Sequence, residues 1–319
     1  MLRNYITTSD PERLLSARDT LAVLRFTANP PQPESVIDTR VELLSEIDGL
    51  PNSAYEVWQI ESGSVEHGND LGCAWRRSAD LQFCSVSMPL QQGDDFEATA
   101  YAVYDQLLSF INASPHPELV RFWNYIPNIN VGAGDSENYK RFCAGRLRAF
   151  TKHQLDDLQF PAASAVGHYR DGITVYALTT ATSAEHHANP RQVDAFKYPR
   201  QYGLSSPSFA RATTLELGEQ RLCFISGTAS ILGHSSVHQD DLRLQLYTTN
   251  DNILYLLKET SFKRSQVRTL RVYLRNKSDF EECNRIVKEL FPDTEVLFTH
   301  ADICRSDLLV EIECFCVAS

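Results

Sequence analysis

The chain has 319 residues, 43% hydrophobic and 22% charged, which is typical of a globular protein long enough for two domains. Its formal net charge of -11 argues against a surface for nucleic acid or for an anionic membrane. We expect neither a signal peptide nor a membrane span, because no apolar run has the length of either. The eight cysteines are scattered without a CxxC pair, so we expect reduced thiols and a cytoplasmic protein.

The first half of the chain alternates between strand-like and helix-like segments. Alternating polarity in runs rich in β-branched and aromatic residues predicts strands, and apolar residues at three- and four-residue steps predict amphipathic helices. These patterns give strands at 54–61, 81–90, 119–127, 162–170 and 173–180, and helices at 94–112 and 136–150.

The second half repeats this alternation. Its predicted strands and helices are 208–217, 220–232, 240–260 (helix), 267–276, 277–291 (helix), 294–303 and 308–317. We therefore predict an α+β fold of two tandem β-β-α-β-α-β units, with mixed sheets and helices packed on one face. The N-terminal domain is expected to span 1–165 and the C-terminal domain 166–319.

A long connection, 182–212, lies inside the predicted C-terminal domain. It is irregular and contains proline, and a loop of that length in a compact protein is usually either functional or disordered. Its aromatic residues Tyr198, Tyr202 and Phe209, together with three arginines, favour the functional interpretation.

The last predicted strand carries two carboxylates on one face. Leu309, Glu311, Glu313 and Phe315 alternate with an apolar set, shortly after Cys304. A solvated outer face of a half-buried sheet is the ordinary explanation of such a pattern. If this face instead lines a cleft, burial and the neighbouring carboxylate would both raise the pKa of a carboxyl group there.

Six separated segments resemble, in the same order, the chorismatases, bacterial enzymes that act on chorismate and release pyruvate. The resemblance covers roughly 120–319 and is weak before that. The segments are RFWNYIPNIN (121–130), YKRFCAGRLRAF (139–150), FPAASAVG (160–167), NPRQVDAFKYPRQYGLSSPSFARA (189–212), ISGTASILGH (225–234) and ADICRSDLLVEIE (301–313).

The resemblance implies a fold, a reaction and its main catalytic groups. The C-terminal domain of that family is similar to the RidA/YjgF fold, and we extend this expectation to both units. Glu311 matches the acid that protonates the enolpyruvyl methylene of chorismate. A cysteine at the position of Cys304 resembles the subgroup, known from xanthomonads, that supplies 3-hydroxybenzoate and 4-hydroxybenzoate. The resemblance implies that Cys304 steers the intermediate to an aromatic product. No metal and no organic cofactor are implied.

Arginines and tyrosines in the matching segments are candidates for binding the two substrate carboxylates. A guanidinium binds a carboxylate through two parallel hydrogen bonds, and a phenol can donate to a carboxylate or to a ring hydroxyl. Gly227 and Ala229 are small residues that let a ligand approach the backbone closely. The candidate arginines and tyrosines are Arg148, Tyr198, Arg200, Tyr202, Arg211 and Arg305.

Three interpretations of the function stay open at this point. Within the family, an alanine at the position of Ala229 resembles the hydrolysing subgroup, whereas a cysteine at the position of Cys304 resembles the subgroup that forms hydroxybenzoate. Chorismate hydrolysis to a dihydroxycyclohexadiene carboxylate and pyruvate is therefore the alternative, and a RidA-like deaminase or small-molecule binder is a more remote one. RidA-like units trimerise with sites in the clefts between them, and two fused units could build one cleft internally, so we expect a monomer.

Overall fold

The computed structural model describes residues 1–7, 9–27, 37–38, 42–43, 53–61, 63–91, 93–168 and 171–318. The helices are α1 (Pro11–Ser16), α2 (Phe96–Ala113), α3 (Asn138–Lys152), α4 (Leu242–Glu259) and α5 (Phe280–Leu290). The strands are β1 (Leu2–Thr7), β2 (Thr20–Thr27), β3 (Ile37–Asp38), β4 (Glu42–Leu43), β5 (Ser53–Ile60), β6 (Glu66–Asp70), β7 (Cys73–Arg77), β8 (Leu81–Met88), β9 (Glu118–Pro127), β10 (Ala162–His168), β11 (Ile173–Thr180), β12 (Ala184–His187), β13 (Ala212–Leu217), β14 (Gln220–Thr228), β15 (Ile231–Leu232), β16 (Ser235–Ser236), β17 (Val267–Leu274), β18 (Glu295–His300) and β19 (Val310–Ala318).

Two large mixed sheets form the two units. The first sheet has the order β10-β9-β11-β8-β7-β6, and the second has the order β12-β13-β14-β19-β17-β18-β4. In each sheet one neighbouring pair is parallel, β9 with β10 and β17 with β18, and the other pairs are antiparallel. The predicted α+β fold of two tandem units is confirmed. Each unit runs β-β-β-α-β-α-β-β. The six-element order left out the last strand, although 173–180 and 308–317 were predicted as strands, and it left out the edge strand β12. In the first unit β6 and β7 were not predicted, and the predicted strand 54–61 lies in another sheet.

The helices of each unit cover one face of its sheet, as predicted. The core of the first unit includes side chains of α2 and α3, and the core of the second includes those of α4 and α5. Asp95 and Asp241 start α2 and α4, since their carboxylates accept hydrogen bonds from backbone N–H groups of the first turn. No helix among the described residues is both long and apolar enough to cross a membrane.

A third sheet, of order β1-β5-β2-β3, comes from the N-terminal region, where the sequence analysis predicted only one strand. The inner faces of the three sheets meet in one aromatic core. The ring of Trp58 on β5 lies 6.2 Å from that of Trp123 on β9 and 4.9 Å from that of Phe315 on β19, measured between centroids. The N-terminal sheet therefore closes the core that the two units share.

The predicted domain boundary at residue 166 cuts through β10, and it separates β11 from the first unit. Strand β11 pairs with both β8 and β9 in the middle of the first sheet. We propose that the boundary falls after Thr180 instead. The last two residues of the predicted strand 162–170 lie outside the described residues.

The two units touch where the edge strand β10 passes β14. The backbone N–H of Ala163 donates to Ser226 Oγ at 2.9 Å, and that of Gly227 donates to Ser164 Oγ at 3.0 Å. Residues 182–212 contain β12 and two short 3-10 turns, and they bring aromatic and basic side chains to the junction between the units.

Candidate active site

A cavity of about 410 Å³ lies between the two units. The first unit contributes the start of α3 and the turn before it. The second contributes the 182–212 connection, the end of β14 and the loop between β18 and β19. The main lining residues are Tyr139, Lys140, Tyr198, Tyr202, Arg211, Gly227, Ala229, Cys304, Arg305 and Glu311.

Glu311 is a buried acid on the wall of this cavity. It stands near the start of β19, opposite Tyr273 of β17, and is 4% exposed. Burial raises the pKa of its carboxyl group to about 8, and the negative charge of Glu313 adds to the increase. Among the described residues it forms no ion pair. Glu311 therefore holds a proton at neutral pH and can donate it.

Gly227 makes room for this carboxyl group. The pairing of β14 with β19 shifts register between Ile225 and Thr228, which is a β-bulge at Gly227. A Cβ atom added to Gly227 would overlap with Glu311 Oε1, far inside a normal contact distance. The predicted reason for a small residue at this position was close approach of a ligand. The structure shows that the neighbouring group is the acid itself.

Glu313, two residues further along the same face, has the opposite environment. Its carboxylate forms ion pairs with Arg121 at 2.7 Å and Arg271 at 2.8 Å, and accepts hydrogen bonds from Trp123 Nε1 and Ser164 Oγ. Burial alone would raise its pKa, but the two guanidinium groups and these hydrogen bonds lower it below the usual value. Adjacent carboxyl groups on one strand face are thus held in different protonation states.

Cys304 lines the cavity as a neutral thiol. Burial and the nearby Glu311 raise its pKa to about 12, against the smaller opposite effect of Arg305. A nucleophilic cysteine requires a lowered pKa. As a thiol, Cys304 can donate a weak hydrogen bond to a group in the cavity.

Arg211 is the buried cation of the cavity. It is 5% exposed, and its Nη2 donates to Tyr198 Oη at 2.8 Å and to the carbonyl oxygen of Val193 at 2.9 Å. Its Nε has no hydrogen-bond partner among the described residues. The guanidinium group is thus fixed in place and keeps donor capacity for an anion.

Arg305 is a second cation that lines the cavity. Its guanidinium carbon lies 4.0 Å from the ring centroid of Tyr202 and 5.2 Å from that of Tyr198. Its Nη1 donates to the backbone oxygen of His234 at 2.9 Å. These stacking contacts and the hydrogen bond hold the charge at the cavity surface.

Two predicted binding residues lie outside the cavity. Arg148 is on the outer side of α3, where it pairs with Glu97 of α2 at 3.0 Å. Arg200 is exposed and forms two hydrogen bonds with Asp135, at 2.9 and 2.7 Å. Both were chosen because they stand in matching segments, but a segment does not fix which side of a helix or turn an arginine occupies.

Tyr139 and Lys140 line the cavity but were not among the predicted site residues. They begin α3, in a segment that was quoted for the resemblance, and they belong to the unit that does not carry Glu311. Lys140 pairs with Glu137 at 3.3 Å on the same wall. Only the packing of the two units brings these residues to the site, so local sequence patterns gave no signal for them.

Comparison with known proteins identifies the family. Residues 56–179 match the family model described as chorismatase FkbO/Hyg5-like, N-terminal, and residues 208–318 match the endoribonuclease L-PSP model. A 3-hydroxybenzoate synthase of Streptomyces hygroscopicus is 36% identical, over 81% of this chain and 80% of its own. The chain belongs to the chorismatase family.

Two further relatives agree with this membership. A chorismatase of Streptomyces rapamycinicus is 35% identical over 81% of this chain and 80% of its own. A chorismatase crystal structure superposes with a TM-score of 0.86 and 29% identity, covering 99% of this chain and 98% of the other. The resemblance stated from six segments is therefore confirmed, and it extends across almost the whole chain.

Proposed function

We propose that this chorismatase-family protein converts chorismate to hydroxybenzoate, chiefly 3-hydroxybenzoate, and pyruvate. The observation that carries the proposal is Glu311, a carboxyl group that stays protonated at neutral pH on the wall of a cavity with two fixed arginines. Cleavage of an enol ether requires such an acid, because the unprotonated leaving group is poor. A positioned general acid contributes about 10²–10⁴ in rate.

The reaction begins with transfer of the Glu311 proton to the methylene carbon of the enolpyruvyl group. The resulting cation is oxocarbenium-like. The neighbouring ring hydroxyl then attacks the ether-bearing carbon as the bond from that carbon to the ether oxygen breaks and pyruvate leaves, so the hydroxyl oxygen can end at the 3-position. Departure of pyruvate without this attack would leave the oxygen at the 4-position and give 4-hydroxybenzoate. Together, hydroxybenzoate and pyruvate contain the same atoms as chorismate, so aromatisation consumes no water. The ring proton lost during aromatisation can return to Glu311, which is then ready for the next turnover.

The two substrate carboxylates require cationic partners. We assign this role to Arg211 and Arg305, which line the cavity and are held in place by contacts with Tyr198 and Tyr202. Charge-assisted hydrogen bonds contribute roughly 1.5–3 kcal/mol each. Lys140 is a third cation within the cavity wall. Glu137 and Asp307 also line the cavity, and Glu137 pairs with Lys140, so Arg211 and Arg305 are the cations that support binding of a dianion.

The alternative product is the dihydroxycyclohexadiene carboxylate, whose formation adds one water to chorismate. Ala229 favours this product by its resemblance to the hydrolysing subgroup, and it lines the cavity together with Cys304. We propose that Cys304 decides the outcome. Cys304→Ala is expected to shift the product several-fold from hydroxybenzoate toward the diene-diol. Chromatography with aromatic absorbance measures the ratio, and an unchanged ratio would make Cys304 a packing residue.

Incubation of the purified protein with chorismate, followed by an assay for pyruvate, tests the proposed function. We expect pyruvate well above the spontaneous background, together with an aromatic product. Background pyruvate alone would overturn the proposal and would favour the remote alternative of a RidA-like deaminase or binder.

We also propose that the protein works as a cytoplasmic monomer. All eight cysteines are free, and seven of them are buried, which suits a reducing compartment. Both walls of the cavity belong to one chain, which supports a site that is complete without a partner. Light scattering after size-exclusion chromatography measures the molar mass.

A further inference from the structure

The loop between β18 and β19 carries Cys304 and Arg305 into the cavity. It has no regular helix or strand, so the position of these side chains depends on what holds the loop. Cys304 itself belongs to the proposed reaction. Arg275, which does not line the cavity, fixes the loop and takes no part in the proposed reaction steps.

Arg275, just after β17, holds this loop with its whole guanidinium group. An arginine side chain has five N–H bonds, and Arg275 makes five hydrogen bonds. Its side chain is 15% exposed. The acceptors are Leu308 O for Nε at 2.7 Å, Asn130 Oδ1 and Asp302 Oδ1 for Nη1 at 3.1 and 2.6 Å, and Ile303 O and Arg305 O for Nη2, both at 2.9 Å.

The two hydrogen bonds that Arg275 Nη2 donates determine the position of Cys304. They go to the backbone oxygens of Ile303 and Arg305, the residues directly before and after Cys304. One planar nitrogen thus fixes the chain on both sides of the thiol. A lysine ammonium group has three donors without a planar fork, so it cannot make these five bonds together.

The first unit adds a second hold on the same loop. Asn130 Nδ2 donates to the backbone oxygen of Ile303 at 3.1 Å, and its Oδ1 accepts from Arg275. The backbone N–H of Gly167 donates to Asp302 O at 2.7 Å. The loop is therefore held between Arg275 of one unit and polar groups of the other.

We propose that Arg275 is a positioning residue that sets the product ratio through Cys304. This inference rests on the proposed function. A displacement of about 1 Å can change a rate by 10²-fold, so a loosened loop should change how often the intermediate meets the thiol in a productive geometry. Arg275 does not line the cavity, and its effect must pass through the loop.

The experiment compares product ratios from chorismate for four proteins: wild type, Arg275→Lys, Cys304→Ala and the double variant. We expect Arg275→Lys to shift the ratio of hydroxybenzoate to diene-diol roughly tenfold toward the diene-diol. In the Cys304→Ala background the same substitution should no longer shift the ratio, because the residue through which it acts is gone. A purely stabilising role would lower the yield of folded protein in both backgrounds and leave both ratios unchanged.

Arg264→Lys is the matched control, since Arg264 donates to a single backbone oxygen, Leu290 O, at an exposed position. It should keep the wild-type ratio. If Arg275→Lys does not fold, Asn130→Ala replaces it, because it removes the other hold on Ile303 and should shift the ratio in the same direction. An unchanged ratio in a folded Arg275 or Asn130 variant would overturn the inference, as would a shift that persists without Cys304. A wild-type protein that releases no pyruvate would instead overturn the proposed function, and the inference with it.

Discussion

The two units share a strand order, but they differ at the position that matters for chemistry. Strands β9 and β11 occupy the same places in the first sheet as β17 and β19 in the second. Tyr125 on β9 and Tyr273 on β17 contact each other across the two units, with their hydroxyl oxygens 3.3 Å apart. They therefore serve as reference positions for comparing the two sheets. Opposite Tyr273 lies Glu311, and opposite Tyr125 lies Thr174.

The surroundings of these two residues differ as well. Thr174 is fully paired within its sheet, since its Oγ1 lies 2.9 Å from Ser87 Oγ on the neighbouring strand β8, where the register is continuous. On β14, the counterpart of β8, the bulge at Gly227 interrupts the register and leaves space for the carboxyl group of Glu311. One architecture thus supports a closed sheet in the first unit and an acid site in the second. The fold alone does not specify the chemistry.

The largest effect is expected from removing the acid. Glu311→Gln should lower turnover of chorismate by about 10²–10⁴ because an amide cannot donate the acidic proton, while substrate affinity stays close to that of the wild type. The control is Thr174→Val in the first unit, which removes a hydrogen bond but no acid. Pyruvate release measures turnover, and calorimetric titration measures binding.

Equal loss of turnover in both variants would mean that the two positions contribute only to stability. Near-normal activity of Glu311→Gln would mean that the acid lies elsewhere. Either result would remove the functional difference between the two units.

The bulge provides the second test. Gly227→Ala places a methyl group where the Glu311 carboxyl group lies, so the acid must move, and we expect turnover to fall by about 100-fold. The matched substitution in the first unit is Ser87→Ala on β8, which should keep wild-type turnover. Circular dichroism checks that both variants are folded. Wild-type turnover in a folded Gly227→Ala variant would show that the carboxyl group does not depend on the bulge.

The pH dependence of turnover tests the protonation state directly. Since the pKa of Glu311 is raised to about 8, the acid form dominates below that pH, and turnover should fall about tenfold per pH unit above it. Cys304, with a pKa of about 12, remains a thiol over this range. The Cys304→Ala variant should therefore show the same decline. A profile that is flat between pH 7 and 10 would contradict the assignment.

Much of this molecule follows from local sequence patterns. The helices predicted at 94–112 and 240–260 begin and end within two residues of α2 and α4, because their aspartate caps and apolar stripes are local signals. The alternation that put Glu311 and Glu313 on one strand face was also local, and both side chains indeed face inward. Whether that face met water or a cleft depended on the other unit.

The remaining features depend on contacts between distant segments. Arg148 and Arg200, which were predicted to bind substrate, lie outside the cavity, whereas Lys140, which lines it, was not predicted. The sequence does not show on which side of a helix an arginine lies. Only the packing of α3 shows that Arg148 faces away from the site. The hydrogen bonds of Arg275 join Asn130 of the first unit to the loop between β18 and β19, and a local pattern could not reveal them.

The last expected effect is on stability, and its sign follows from the same pKa. The folded state holds the Glu311 proton up to about pH 8, whereas an ordinary glutamate, as in the unfolded chain, releases it near 4.5. As pH rises from 5 to about 8, the unfolded chain gains more from releasing this proton than the folded protein does, so the contribution of Glu311 to the free energy of unfolding falls by a few kcal/mol.

Glu311→Gln lacks this titration, so its free energy of unfolding should rise relative to wild type between pH 5 and 9. Urea unfolding at both pH values measures the difference. Thr174→Val, which carries no ionisable group, should differ from wild type by the same amount at both, and equal behaviour of the two variants would mean that Glu311 is ionised in the folded protein.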